Sequence, residues 1–290
     1  MGGILDFIVE PLRDYHFMRL ALVTGILVGS ICAILSCFLV VKRWALLGDA
    51  ISHSVLPGVA FSYMLGLPYF VGALFTGLAS SWGIGYLQNQ TRLKEDASMG
   101  TVFTAAFALG VAIISMIRGR VNLYDILFGN ILTVSSADFL LTAIVGLIVI
   151  AFLLLFYRPI VFWIFDPVAA QVAGISTNKL HYLMMFLLTA TIVASLHTVG
   201  IVMVVAMLII PGAASFLLTY RFSYMIILSL IFGIISSLAG LYLSFYYDLA
   251  TGAAMVLVVT VIFLIALVFS PAQGIIYSKK ESQSTDHPFT

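Results

Sequence analysis

The chain has 290 residues, of which 62% are hydrophobic and only 9% are charged, and its formal net charge is +1 at pH 7. About a quarter of the residues in a soluble domain are charged, so this composition excludes a soluble protein and indicates one that crosses a membrane several times. The balanced charge leaves no basic patch for nucleic acid, and we expect no nucleic-acid partner.

Apolar runs long enough to cross a bilayer, about 20 residues each, follow one another along the chain. Residues 20–41 form the first run, and the uncharged stretch 50–91 is long enough for two helices that turn at Gly66-Leu67-Pro68. Further runs cover 97–117, 139–157, the stretch 180–220 as two helices broken near 198–200, 222–247 and 249–278. The sequence therefore predicts an all-α polytopic membrane protein with nine transmembrane helices, or eight if one half-run is re-entrant.

The nine helices belong to a single transmembrane domain, residues 1–278, and the polar residues 279–290 are expected to form a disordered cytoplasmic tail. Nine helices place the termini on opposite sides of the membrane. With the N-terminus outside, nine basic residues are cytoplasmic and four are external. This agrees with the excess of Lys and Arg that short cytoplasmic loops carry in membrane proteins. The cytoplasmic set is Lys42, Arg43, Arg92, Lys94, Arg158, Lys179, Arg221, Lys279 and Lys280, and the external set is Arg13, Arg19, Arg118 and Arg120. We therefore expect the C-terminus to be cytoplasmic.

A carboxylate and an imidazole lie one helical turn apart in the second apolar run. Asp49 and His53 are separated by four residues, so they share one face of a helix. An ionisable group at membrane depth costs at least about 2.5 kcal/mol, and both side chains are ligand types that Zn or Mn accepts. The pair therefore indicates a metal site or an ion pathway. The alternative is a polar pair at a helix end that contacts only lipid headgroups or caps a turn.

The longest cytoplasmic segment, residues 158–179, contains the signals of a short helix. Asp166 suits the N-cap, Pro167 suits the first helical position and Gly174 suits the stop, which predicts about two turns. Its small residues Ala169, Ala170 and Ala173 would allow close approach by another protein. The helix is either a docking element for a cytoplasmic partner or an ordinary interfacial loop helix.

Several catalytic signatures are missing from the sequence. It has no Gly-x-x-x-x-Gly-Lys-Ser/Thr, no His-Glu-x-x-His and no Gly-x-Ser-x-Gly, so nothing indicates a nucleotide site or an intramembrane protease or hydrolase. His197 lies near the end of an apolar run, where it either lines a pathway or is satisfied by a backbone carbonyl. Its helix should place it far in depth from Asp49 and His53, so we expect it to line an outer vestibule or to be a packing residue.

The segment Gly-Asp-Ala-Ile-Ser-His-Ser-Val-Leu-Pro-Gly at residues 48–58 closely resembles the permease subunits of bacterial ABC importers for manganese, zinc and iron. The similarity covers nearly the whole chain, and it is most like the manganese branch. It returns at 127–132 (Leu-Phe-Gly-Asn-Ile-Leu), at 165–174, at 206–211 (Ala-Met-Leu-Ile-Ile-Pro) and at 251–253 (Thr-Gly-Ala). At the position of His197 such permeases often carry glutamine.

The resemblance implies a type II ABC importer-like fold in the bacterial plasma membrane, in contact with lipid. It implies three kinds of protein partner: a second permease copy, two copies of a cytoplasmic ATPase subunit, and an extracytoplasmic metal-binding protein. Asp49 and His53 would line the cation route, and residues 165–175 would form the coupling helix that meets the ATPase. Its coupling residues would be Phe165, Asp166, Ala169, Ala170, Ala173 and Gly174.

The function that the resemblance implies is ATP-driven import of a divalent transition metal, with Mn first and Zn or Fe as alternatives. The chain itself would not be an enzyme and would hold no cofactor, because the metal is cargo. A self-sufficient secondary transporter or cation channel, with Asp49 as a proton relay, is the competing function.

Overall fold

Every regular element is a helix in the part of the chain that the computed structural model describes, which is Arg13 and residues 15–116 and 134–270. The expected tail at 279–290 and the motif at 127–132 lie outside it. The helices are α1 (His16–Lys42), α2 (Ala45–Ser54), α3 (Leu56–Leu65), α4 (Tyr69–Gln90), α5 (Glu95–Met116), α6 (Ser136–Leu155), α7 (Tyr157–Phe165), α8 (Pro167–Val172), α9 (Thr177–Val199), α10 (Ile201–Leu218), α11 (Phe222–Tyr247) and α12 (Thr251–Phe269).

Eight of the described helices are long and apolar enough to cross a membrane: α1, α4, α5, α6, α9, α10, α11 and α12. This confirms the prediction of an all-α polytopic membrane protein. Two predicted helix boundaries are also confirmed. Gly66 ends α3 with a left-handed backbone (φ 67°) just before Pro68, and Gly200 (φ 81°) separates α9 from α10. Glycine has no Cβ and adopts these positive φ angles without strain.

The remaining predicted helix, at residues 50–66, is interrupted rather than continuous. It consists of α2 and α3, two ten-residue helices that meet at Val55. Pro57 causes the break, because it has no amide N–H to donate to the carbonyl of His53 one turn earlier. The two pieces pack along α5 in the same direction: His53 of α2 contacts Phe103, and Leu56 and Pro57 lie against Gly110. The described residues therefore form eight long helices, and the short helices α2 and α3 stand in place of a ninth.

Small residues bring the central helices into close contact. Helix α1 packs extensively on α10 and α11. Between α1 and α11, Gly29 lies against the backbone of Gly233, while Ser229 Oγ donates to the Ala33 carbonyl (2.7 Å) and Ser237 Oγ donates to the Gly25 carbonyl (2.9 Å). In lipid, close backbone packing and such hydrogen bonds replace the hydrophobic effect as the force between helices.

We expect Gly58→Ala to destabilise the protein, because the interrupted helix is held against α4 by contact between Gly58 and Gly72. A Cβ on Gly58 would overlap the carbonyl oxygen of Gly72, and a backbone oxygen cannot swing aside. The overpacking should cost about 1–3 kcal/mol, measured as a lower temperature of thermal unfolding in detergent.

The matched control is Gly83→Ala in α4, where an added Cβ meets no atom within 4 Å. It should be neutral or slightly stabilising, since alanine favours helix over glycine by about 1 kcal/mol. Equal unfolding temperatures for the two variants would show that the close contact does not contribute to stability.

Candidate metal pathway and coupling helix

The structure brings Asp49 and His53 together on α2. Nε2 of His53 lies 3.4 Å from Oδ1 of Asp49, as their spacing predicts. The Asp49 side chain is 44% exposed and that of His53 is 23% exposed, so the pair faces outward from this single chain. A carboxylate oxygen and an imidazole nitrogen on one open face are two adjacent ligands for a divalent cation.

Two aromatic rings of α5 hold the imidazole in place. The centroid of the His53 ring lies 5.3 Å from that of Phe103 and 5.7 Å from that of Phe107. Nδ1 of His53 is buried and has no hydrogen-bond partner among the described residues, which leaves Nε2 as the nitrogen facing the carboxylate. Neither phenylalanine is expected beside His53 from the sequence. They are four apart, but that spacing does not distinguish them from lipid-facing aromatics.

The serines of the same segment are engaged elsewhere. Ser52 Oγ donates to the carbonyl of Gly48 and Ser54 Oγ donates to that of Ala50, each at 2.6 Å. Both hydroxyls are buried and satisfied by the preceding turn of their own helix. In the described part of the chain, no three His, Cys, Asp or Glu side chains cluster closely enough to hold a metal ion. Among the described residues the pair is therefore an incomplete ligand set, since a closed zinc site takes four ligands.

The short helix expected after residue 165 is present as α8. Asp166 caps it by accepting a hydrogen bond from the amide of Ala169 (2.9 Å), and Pro167 is its first residue. At the other end Gly174 has φ 82°, and the amide of Ile175 bonds back to the Ala170 carbonyl (3.0 Å). The capping signals are confirmed, and the helix has six residues.

The small residues of α8 do not form one exposed face, and Ala170 is not available to a partner, unlike in the expected docking surface. Ala170 is fully buried in the core of this chain, Ala169 is partly buried, and Ala173 and Gly174 are exposed. A helix this short must bury one side on its own protein, and alanine allows it to approach α7 and α9. The large apolar side chains face outward instead: Phe165 is exposed, and Val168 and Val172 are 71% and 85% exposed. We call Phe165, Val168 and Val172 the apolar patch.

His197 lies in the last turns of α9, and its side chain is outside the described part of the structure. The start of α9 contacts the start of α2, where the rings of His181 and Trp44 meet at 4.9 Å. Residue 197 is 16 residues further along α9, or about 24 Å at 1.5 Å per residue. Its assignment to an outer vestibule, away from Asp49 and His53, stays a prediction.

Comparison with known proteins identifies the family. Residues 14–270 match the model of the ABC 3 transport family. The chain is 49% identical to the manganese transport system membrane protein of Halalkalibacterium halodurans, over 94% of each chain. It is 41% identical to the chelated iron transport system membrane protein of Yersinia pestis, over 95% of this chain and 94% of that one.

Among solved structures, the chain resembles a chain of PsaBC from Streptococcus pneumoniae, solved in complex with a Fab. The TM-score is 0.85 at 36% identity, over 96% of this chain and 99% of that one. The chain belongs to the ABC 3 transport family.

Proposed function

We propose that this chain is the permease subunit of an ATP-driven importer, which moves a divalent transition metal from an extracytoplasmic binding protein into the cytoplasm. Mn²⁺ is the first candidate cargo, because relatives at 47–49% identity are named as manganese transport proteins. The observation that carries the proposal is the Asp49–His53 pair on the interrupted helix, in a chain that belongs to a family of transport proteins.

The chemistry of the pair suits a transported ion rather than a resident one. Oxygen and imidazole nitrogen are ligands for Mn²⁺, Fe²⁺ and Zn²⁺, and the two thiols of the chain, Cys32 and Cys37, are buried elsewhere in α1. Metal-binding histidines normally donate the other ring N–H to an acceptor, which strengthens the ligand. Nδ1 of His53 has no such acceptor in the described structure, so the site should be weak. A weak site releases its ion, which conduction requires.

A second copy of the chain would complete the ligand set. One chain offers two ligands on an open face, and a two-fold axis beside α2 would place the same two groups of the second copy opposite them. The resulting two carboxylates and two imidazoles would give the ion four protein ligands of types that Mn²⁺, Fe²⁺ and Zn²⁺ accept. The half-exposed state of Asp49 supports this arrangement, because an intramembrane carboxylate is expected to face a partner or a cavity rather than lipid.

The energy source would be a separate ATPase that binds the apolar patch on α8. The chain has no P-loop, so another subunit must bind the nucleotide. The N-terminus-outside orientation favoured by the basic residues places α8 in the cytoplasm. Exposed valines of this kind are unfavourable in water and favour contact with a partner surface. We propose two ATPase copies, one for each permease copy.

Reconstitution in liposomes tests the proposed function. The permease with its ATPase and binding protein should take up Mn²⁺ only when ATP is supplied. Uptake by the permease alone, without ATPase, would instead support a secondary transporter or channel.

We expect Asp49→Asn and His53→Ala each to abolish Mn²⁺ uptake, because each removes one of the two ligands. Replacing a residue that only hydrogen-bonds to a metal ligand already lowers metal affinity or activity by about 10–100-fold. Because the two variants change the ligands themselves, uptake should fall to less than about a hundredth of the wild-type rate. The measurement is radioactive Mn²⁺ uptake by proteoliposomes containing the assembled complex.

The matched control is Asp248→Asn at the exposed end of α11. The backbone of Asp248 is left-handed (φ 55°), a conformation that asparagine tolerates. The variant therefore removes a carboxylate without adding backbone strain. It should transport normally. Near-normal uptake by either Asp49→Asn or His53→Ala would remove that residue from the pathway.

We expect Val172→Asp to prevent binding of the ATPase, because it places a charge at the most exposed side chain of the apolar patch. The loss should be at least about 2 kcal/mol, or about thirtyfold in affinity, as for the central residues of interfaces. Co-purification of the ATPase and surface plasmon resonance measure the effect.

Leu249→Asp is the control, since it adds the same charge to an exposed apolar position at the far end of α11. Helix α11 starts beside the patch, where the rings of Phe222 and Phe165 meet at 5.8 Å, and its 26 residues place Leu249 about 39 Å away. Unchanged ATPase binding by Val172→Asp would show that the patch is not the docking surface.

A further inference from the structure

Three aromatic side chains from separate helices meet where α2 begins. The ring centroid of Trp44 lies 5.7 Å from that of Trp163 and 4.9 Å from that of His181, and Trp163 and His181 are 6.3 Å apart. All three contacts are edge-to-face, the favourable geometry for aromatic pairs. Nζ of Lys42 lies 4.3 Å from the Trp163 ring centre, a cation–π contact. We call Trp44, Trp163 and His181 the aromatic hub.

Each member of the hub lies close in sequence to a functional element. Trp44 is the N-cap residue of α2, five residues before Asp49. Trp163 lies on α7, three residues before the Asp166 cap of α8. His181 lies in the second turn of α9, the helix that follows α8. The hub therefore joins the flanks of α8 to the helix that carries the metal pair.

No extensive direct contact joins α8 to α2 in the described structure; α8 packs mainly on α7 and α9. A movement of α8 must therefore reach α2 through its neighbours, and Trp163 and His181 are the side chains by which α7 and α9 contact Trp44. Both tryptophans are buried in the core, where tight packing transmits displacement instead of absorbing it.

The hub also contains polar atoms that the described conformation leaves unsatisfied. Nε1 of Trp44 and Nε2 of His181 are buried, and neither has a hydrogen-bond partner among the described residues. Buried polar groups without partners raise the free energy of a conformation. A conformation in which the rings shift and these atoms gain partners would remove that cost, as expected for an element with two arrangements.

We infer that Trp44, Trp163 and His181 are positioning residues, which transmit the movement of α8 to α2 and so set the geometry of the Asp49–His53 pair. This inference rests on the proposed function, because that proposal assigns α8 to the ATPase. Among the described residues, no ring contact or hydrogen bond joins the hub to the metal pair or to the apolar patch. Its loss should uncouple ATP hydrolysis from transport while leaving both sites intact.

The test compares Trp163→Leu and His181→Leu with Trp82→Leu in the assembled permease–ATPase complex. Trp82 is exposed on α4, where it stacks on Tyr86, so the control loses an indole outside the hub. Hydrogen–deuterium exchange of residues 45–54 is measured with and without ATP, together with Mn²⁺ uptake per ATP hydrolysed. Trp163→Phe, which keeps an aromatic edge, is the conservative variant.

In the wild type and in Trp82→Leu, ATP should change the exchange of residues 45–54. In Trp163→Leu and His181→Leu that response should disappear, and uptake per ATP should fall at least about tenfold, a typical size for coupling between sites. Trp163→Phe should restore most of both. If Trp163→Leu does not assemble, His181→Leu decides the outcome.

An ATP response retained in His181→Leu and Trp163→Leu would overturn the inference. Failure of the proposed function gives a different result: the wild-type complex would take up no Mn²⁺, while the exchange response would still report whether the hub links α8 to α2.

Discussion

The interruption of the helix at Val55 is the constraint on which the rest of the site depends. A transmembrane helix satisfies its own backbone hydrogen bonds, and Pro57 removes one of them next to the metal pair. The carbonyl of Val55 at the break accepts from the amide of Val59 (3.1 Å) and also lies 3.4 Å from Thr76 Oγ1 of α4. Helix α4 therefore lies directly beside the break, and the contact between Gly58 and Gly72 holds the two helices at that short distance.

The break also makes α2 a short, separately anchored element. Its ten residues are held at the start by Trp44 in the aromatic hub and near the end by Phe103 and Phe107 of α5. A continuous helix would tie the orientation of Asp49 and His53 to that of residues 56–65. A ten-residue helix can respond to its own neighbours, which is the property that a coupled ion pathway needs.

The same design fits the weak metal binding proposed for Asp49 and His53. Among the described residues the pair offers two ligands on an open face, and the second imidazole nitrogen has no acceptor. These features would be defects in a structural metal site, which needs a closed and well-supported shell. They suit the proposed site, which would form between two copies, hold an ion briefly and release it.

The sequence alone determined the features that depend on local chemistry. Hydropathy located the long helices, glycine located the turns at Gly66 and Gly200, and capping signals located α8. A spacing of four residues placed Asp49 and His53 on one face. The family resemblance, carried by contiguous motifs, was confirmed by the match over residues 14–270.

Only the tertiary structure decided which apolar and small residues face inward. In a membrane protein, lipid-facing and core-facing positions are both apolar, so hydropathy does not separate them. For this reason Phe103 and Phe107 could not be assigned to His53, and Ala170 was expected on the docking face although it packs in the core. The aromatic hub brings together residues 44, 163 and 181, and no local pattern encodes contacts between residues so far apart in sequence.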